Sequence, residues 1–216
     1  MSAPPLAGIA RTQITGLVLA GGRSRRWGGV DKAWAQLSGR ALVQHVCDRL
    51  AAQSSQVWIS ANRDSERYAR LGHRVLADDW PDGRGPLAGI ATALRRIETP
   101  WLLVAPVDSP AVPRDLAALL GAAACGEDRL LATAQDAGRL QPAFLLIHRA
   151  LADVLVTAVA GETRRLGAWV QAQGPALVDA GVAGWTHALR GANDAEELAA
   201  LTMAMGRVTV SADGRE

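Results

Sequence analysis

The sequence predicts a single doubly wound α/β domain with a Rossmann-like, mostly parallel sheet. Short apolar runs alternate with amphipathic stretches along the chain, the pattern of βαβ units whose strands are covered on both faces. The first run, residues 14–20 (ITGLVLA), ends at Gly21-Gly22, as a buried strand would. No linker, low-complexity tract or internal repeat divides the 216 residues, 49% of them hydrophobic. A chain of that length can bury a sizeable core without disulfides or metals. The expected limits are a loose arm over residues 1–12, the domain over 13–205 and a tail over 206–216.

The elements follow in order. Residues 41–53 put Leu42, Val43, Val46 and Leu50 on one helical face,. Residues 56–61 (QVWISA) and 73–77 (HRVLA) read as the second and third strands. Residues 86–97 and 113–120 read as helices, each opening on a proline, which suits a first helical turn. Between them, residues 101–107 (WLLVAPV) form a fourth strand. Residues 129–134 and 142–147 are further strand candidates, 151–160 and 165–173 are helical, and 176–179 is a last short strand. A helix over 193–203 is expected to start on a cap by Asn193 or Asp194.

The near-neutral balance, +2, argues against a nucleic-acid partner, which would call for a basic stripe. No run of eighteen apolar residues is present, so no membrane span is expected. Residues 1–12 lack a charged start followed by an apolar run, so no signal peptide is expected either. Two cysteines, Cys47 and Cys125, form no disulfide framework, and the expected location is the cytoplasm. One count stands out. Of the 23 basic residues, Lys32 is the only lysine. It is either a chance survivor of a bias toward Arg or a position needing a compact ammonium where Arg offers a planar fork.

In doubly wound sheets ligands bind beyond the carboxyl ends of the strands, so the segments after the first four strands matter most. The loop after the first strand, residues 19–32 (LAGGRSRRWGGVDK), carries four glycines, three arginines and Lys32. Adjacent glycines let backbone amides approach an anion, and clustered arginines call for negative charge between them. A triphosphate supplies it; a solvated basic loop is the plainer reading. The segment matches neither G-x-x-x-x-G-K-[ST] nor G-x-G-x-x-G, which disfavours a P-loop kinase and a dinucleotide dehydrogenase.

Asp108 follows the fourth strand. It reads as a Mg²⁺ ligand, since Mg²⁺ takes one or two carboxylates plus substrate phosphates and water, or as a turn residue before Pro110. Ser60 and Asn62, after the core of the second strand, and Asp78 and Asp79, closing the third, are each able to bond a base or ribose or to cap a turn. His45, His73, His148 and His187 show no metal-ligand spacing and are expected to be structural.

Three ordered motifs, LAGGRSRRWGGVDK, GPLAGI (residues 85–90) and APVDSPAVP (residues 105–113), make the chain resemble the molybdenum cofactor guanylyltransferases. The resemblance covers most of residues 14–120 and runs more thinly to about residue 200. It implies the nucleotidyltransferase type of α/β fold, and Mg²⁺-dependent transfer of GMP from GTP to the terminal phosphate of molybdopterin, with release of pyrophosphate. It implies Leu19, Ala20, Gly21, Gly22, Lys32, Asp78 and Asp108 as GTP-binding residues. Lys32, Arg26 and Asp108 become the catalytic set, and Asp108 the Mg²⁺ ligand. Arg164, with Arg165, and Asn193 become contacts for the pterin substrate. Transient contacts with proteins that deliver molybdopterin or receive the product are implied, and a monomer is expected. Departures from the family pattern are Trp27 for Met, Val107 for Cys, Ser60 and Gly191 for Asn, and Gln141 for His. Ser60 puts a base contact in doubt, which Asn62 could restore. A relative using CTP or a sugar-phosphate acceptor, a GTP-binding cofactor carrier without catalysis, and a purely structural protein are the competing readings.

Overall fold

The computed structural model describes residues 8–20, 31–80, 84–161, 163, 165–185, 188–192 and 197. The strands are β1 (Ile14–Leu19), β2 (Gln36–Leu37), β3 (Arg40–Ala41), β4 (Gln56–Ser60), β5 (Arg74–Leu76), β6 (Trp101–Pro106), β7 (Leu131–Asp136), β8 (Arg139–His148) and β9 (Ala176–Asp179). The helices are α1 (Leu42–Ala51), α2 (Ser65–Ala69), α3 (Pro86–Arg96), α4 (Leu116–Gly126), α5 (Ala152–Ala160) and α6 (Leu166–Ala172).

Seven strands form one sheet in the order β5-β4-β1-β6-β8-β7-β9. β8 alone runs against the other six, pairing antiparallel with β6 and β7. The sheet is therefore mostly parallel, as the alternation of strands and helices requires. β2 and β3 form a separate two-stranded hairpin.

Strand residues alternate between two cores. Ile14, Val18, Leu103 and Ala105 face α1 and α4 with Val43, Val46, Leu50, Leu116 and Leu120. Leu17, Leu102 and Val104 face α3, α5 and α6 with Leu87, Ile90, Leu155 and Trp169. Alternation on strands buried on both sides makes their sequences read as continuous apolar runs.

Several boundaries differ from the sequence expectation. The helix expected over residues 113–120 spans Leu116–Gly126; Pro113 and Arg114 precede it, and its Ala-rich continuation supplies the rest. β8 begins at Arg139, ahead of Pro142. The β7–β8 register shifts between Thr133 and Ala134, and the bulge accommodates Pro142, which has no N–H for the ladder. Thr133 Oγ1 donates to the carbonyls of Gln141 and Phe144 there, at 3.1 and 2.9 Å. The two strands join through Ala137-Gly138, both at positive φ, the backbone of a tight hairpin turn. α2 and the β2–β3 hairpin have no counterpart in the expected elements; both are too short for periodicity to show.

Of the arm expected over residues 1–12, residues 1–7 lie outside the described residues. Ile9 packs against the α1–α4 core, and Arg11 Nε donates to the Ser54 carbonyl at 2.9 Å. The helix expected over 193–203 also lies outside them, except for Glu197, which is helical. No helix among the described residues is long and apolar enough to cross a membrane.

Candidate nucleotide site

The chain leaves β1 for β4 and β5 on one side, then returns to β6 on the other. The strand order thus reverses at β1, and the carboxyl ends of β1 and β6 flank the switch-point crevice of such sheets. Leu19 pairs with Pro106 at that end. The Val107 amide donates to the Leu19 carbonyl at 3.1 Å and the Ala20 amide to the Ser60 carbonyl at 2.9 Å. The backbone is therefore held rigidly up to the point where the glycine-rich loop begins.

Asp108 lies just past β6. Its carboxylate accepts a hydrogen bond from Lys32 Nζ at Oδ2, with the two side chains only 20% and 17% exposed. Its carbonyl accepts from the Ala192 amide at 2.7 Å. A side chain at Gly191 would lie 3.1 Å from Asp108 Cγ and 3.3 Å from Oδ1. Gly191, where the resemblance leads one to expect Asn, thus lets the backbone pass close against the carboxylate.

Lys32 opens a 3₁₀ turn, Lys32–Trp34, capped by Asp31, whose Oδ1 accepts from the Ala33 amide at 3.0 Å. The other Asp31 oxygen accepts from Tyr68 Oη at 2.6 Å.

Asp78 lies just past β5. Asn62 grips it twice. Its Nδ2 donates to Asp78 Oδ2 at 2.7 Å, and its Oδ1 accepts from the Asp78 amide at 2.8 Å. Ser60 Oγ faces Asp78 Oδ1 at 3.5 Å. Burial raises the Asp78 pKa above the ordinary carboxylate value, while the Asn62 and Ser60 hydrogen bonds oppose the rise. α3 starts beside this group, with Gly85 at φ 70° and Pro86 at its first position. A Cβ on Gly89 would come within 2.3 Å of Ser60 Oγ, so glycine permits α3 to lie this close.

Of the expected site residues, Leu19, Ala20, Lys32, Asp78 and Asp108 all sit at the carboxyl side of the sheet. Lys32 and Asp108 are in direct contact. Gly21, Gly22, Arg26, Arg164 and Asn193 lie outside the described residues, and Arg165 precedes α6. Both Ser60 and Asn62 turn toward Asp78. Tyr68 and Gly191 enter the site as neighbours that the sequence did not single out for contact; tertiary structure alone brings them there. Two of the histidines make structural hydrogen bonds: His45 Nε2 lies 2.9 Å from the Leu37 carbonyl, and His148 Nδ1 accepts from the Ala150 amide at 3.2 Å.

The Mg²⁺ implied by the resemblance fits the donor set. No group of three or more His, Cys, Asp or Glu able to hold a metal occurs among the described residues. Asp108 offers one carboxylate, which suits an ion that brings its remaining ligands as phosphate oxygens and water.

An ammonium and a carboxylate facing each other across the switch point of a mostly parallel sheet, with a glycine-rich basic segment between β1 and the ammonium in sequence, suit the handling of phosphates. Fold and comparisons together define a nucleotidyltransferase. Residues 16–177 match the MobA-like NTP transferase domain, and the chain belongs to that family. It is 42% identical over 199 residues to a molybdenum cofactor guanylyltransferase of Acidovorax sp. (strain JS42), covering 87% of this chain and 94% of the relative. It is 43% identical over 170 residues to one of Ralstonia nicotianae, covering 74% and 83%. In fold it is similar to molybdopterin-guanine dinucleotide biosynthesis protein A from Archaeoglobus fulgidus, with a TM-score of 0.74 at 18% identity over 89% of this chain and 99% of that one.

Proposed function

We propose that the protein transfers GMP from GTP to the terminal phosphate of molybdopterin, forming molybdopterin guanine dinucleotide and pyrophosphate. The observation that carries this reading is the Lys32–Asp108 contact across the switch point, in a chain about 40% identical to named guanylyltransferases.

In this reading an oxygen of the acceptor phosphate attacks the α-phosphorus in line. The new P–O bond forms as the α–β bridging bond breaks, and pyrophosphate leaves with the bonding pair. Such chemistry rests on positioning and charge stabilisation. The rigid Leu19–Ala20 backbone delivers the glycine-rich loop, with Gly21 and Gly22, to the nucleotide. Lys32 leaves Asp108 for the phosphates and, with Arg26, neutralises charge growing on the departing pyrophosphate. Asp108 would hold Mg²⁺, which would supply Lewis-acid stabilisation of the phosphate charge. Asp78, oriented by Asn62 and Ser60, accepts hydrogen bonds from the nucleotide. Arg164 and Asn193 contact the pterin substrate. A phosphate monoester has its second pKa at about 6, so the nucleophile is already ionised near neutrality, and no side chain is needed as a general base. The cytoplasm is the proposed site of action, with transient contacts to proteins supplying molybdopterin and receiving the product.

Pyrophosphate release measured with each of the four NTPs, with and without molybdopterin and Mg²⁺, tests the reading. Release that requires GTP, molybdopterin and Mg²⁺ together supports it. A preference for CTP, or for a sugar phosphate as acceptor, moves the protein to another branch of the fold. GTP binding without release makes it a carrier.

A further inference from the structure

Lys32 lies in sequence between Asp31 and Trp34, and one buried side chain contacts both. Tyr68, the only tyrosine of the chain, is fully buried in α2. Its hydroxyl donates to Asp31 Oδ2 at 2.6 Å. The remaining Asp31 oxygen caps the turn at the Ala33 amide, so the carboxylate spans from α2 to the backbone on the far side of Lys32. The Tyr68 ring meets the indole of Trp34, with centroids 5.0 Å apart and planes tilted by 40°. The Arg67 guanidinium lies over that indole, 4.0 Å from its centroid. The Trp34 amide bonds the Asp31 carbonyl at 3.1 Å, completing a closed turn.

Packing alone accounts for an aromatic ring at position 68, and a phenylalanine would serve it. It does not account for the hydroxyl. A buried hydroxyl needs a partner, and here that partner is the carboxylate that fixes the backbone of Lys32. Burial and the adjacent Asp31 both push the Tyr68 pKa upward, so the phenol stays a donor across the working pH range.

We propose that Tyr68 is a positioning residue for the transfer reaction: through its hydrogen bond to Asp31 it sets where Lys32 can reach. The proposal rests on the reading of Lys32 as the phosphate-neutralising residue. The ammonium stem is long and flexible, so its charge is useful only if its root is fixed. Groups that act as a unit are strongly non-additive when removed in turn.

The experiment compares the native protein, Tyr68→Phe, Lys32→Ala and the double variant. It reads kcat and KM for GTP-dependent pyrophosphate release and the melting temperature of each. Tyr68→Phe is expected to keep the fold and to lower kcat about tenfold, with a smaller change in KM for GTP. In the Lys32→Ala background the same substitution should cost nothing further. A Tyr68→Phe variant with native kcat overturns the proposal while the functional reading stands. So does a full additional loss in the Lys32→Ala background, which would mark Tyr68 as merely structural. Absence of nucleotide-dependent release from the native protein overturns both.

Discussion

Lys32 Nζ donates to Asp108 Oδ2, tying the segment that follows β1 to the end of β6. The only lysine of the chain is thus in contact with the carboxylate that follows β6. Both partners are mostly shielded from solvent, where an ion pair feels less screening than one at the surface.

Lys32→Arg tests whether shape matters as well as charge. Arg presents a broad fork where Lys presents a point charge. The expected result is a fall of about tenfold in kcat with GTP binding largely kept, and a fall of about a hundredfold for Lys32→Ala, equivalent to about 2.7 kcal/mol of barrier. Steady-state pyrophosphate release measures both. Full activity in Lys32→Arg would return the lone lysine to chance.

Asp108→Ala should abolish Mg²⁺-dependent turnover while leaving the sheet intact, since Asp108 lies beyond β6 and outside both cores. Far-ultraviolet circular dichroism checks the fold and pyrophosphate release checks the activity. Undiminished turnover would sink the metal assignment.

Asp78 gives a pH signature. Its folded pKa lies above the ordinary value because of burial. A group shifted in that direction contributes stability below its unfolded pKa, about 3.9, and loses it as pH rises through the folded pKa. Asp78→Asn should therefore melt higher than the native protein at pH 7.5, with the gap closing toward pH 3.5. Calorimetric melts across that range read it, and a gap independent of pH would contradict the burial argument.

Gly89→Ala should destabilise the protein by about 1–3 kcal/mol, the usual cost of forcing atoms into a packed site. The added Cβ would come within 2.3 Å of Ser60 Oγ. Ser60→Ala in the same chain removes that oxygen and should recover part of the loss. Denaturant unfolding of the two variants measures it; no recovery would mean that the strain lies elsewhere.

The parallel sheet was legible because strands such as β1 and β6, buried on both faces, read as unbroken apolar runs. The crevice followed from the fold, and Lys32, Asp78 and Asp108 could be named before any geometry. Three things could not be read. α4 starts three residues late and runs on to Gly126, since an alanine-rich helix has no periodic face to mark its end. β8 passes through Pro142 because a bulge, invisible in a single strand's sequence, absorbs it. The pairing of Tyr68 with Asp31 spans 37 residues and depends on a five-residue helix too short for any periodic signal.

The most direct test of the central claim follows the fate of the phosphates. With molybdopterin, Mg²⁺ and GTP labelled at either the α or the γ position, the α label should appear in the pterin product and the γ label in pyrophosphate. Recovery of the γ label as inorganic phosphate, or retention of the α label in free nucleotide, would contradict guanylyl transfer.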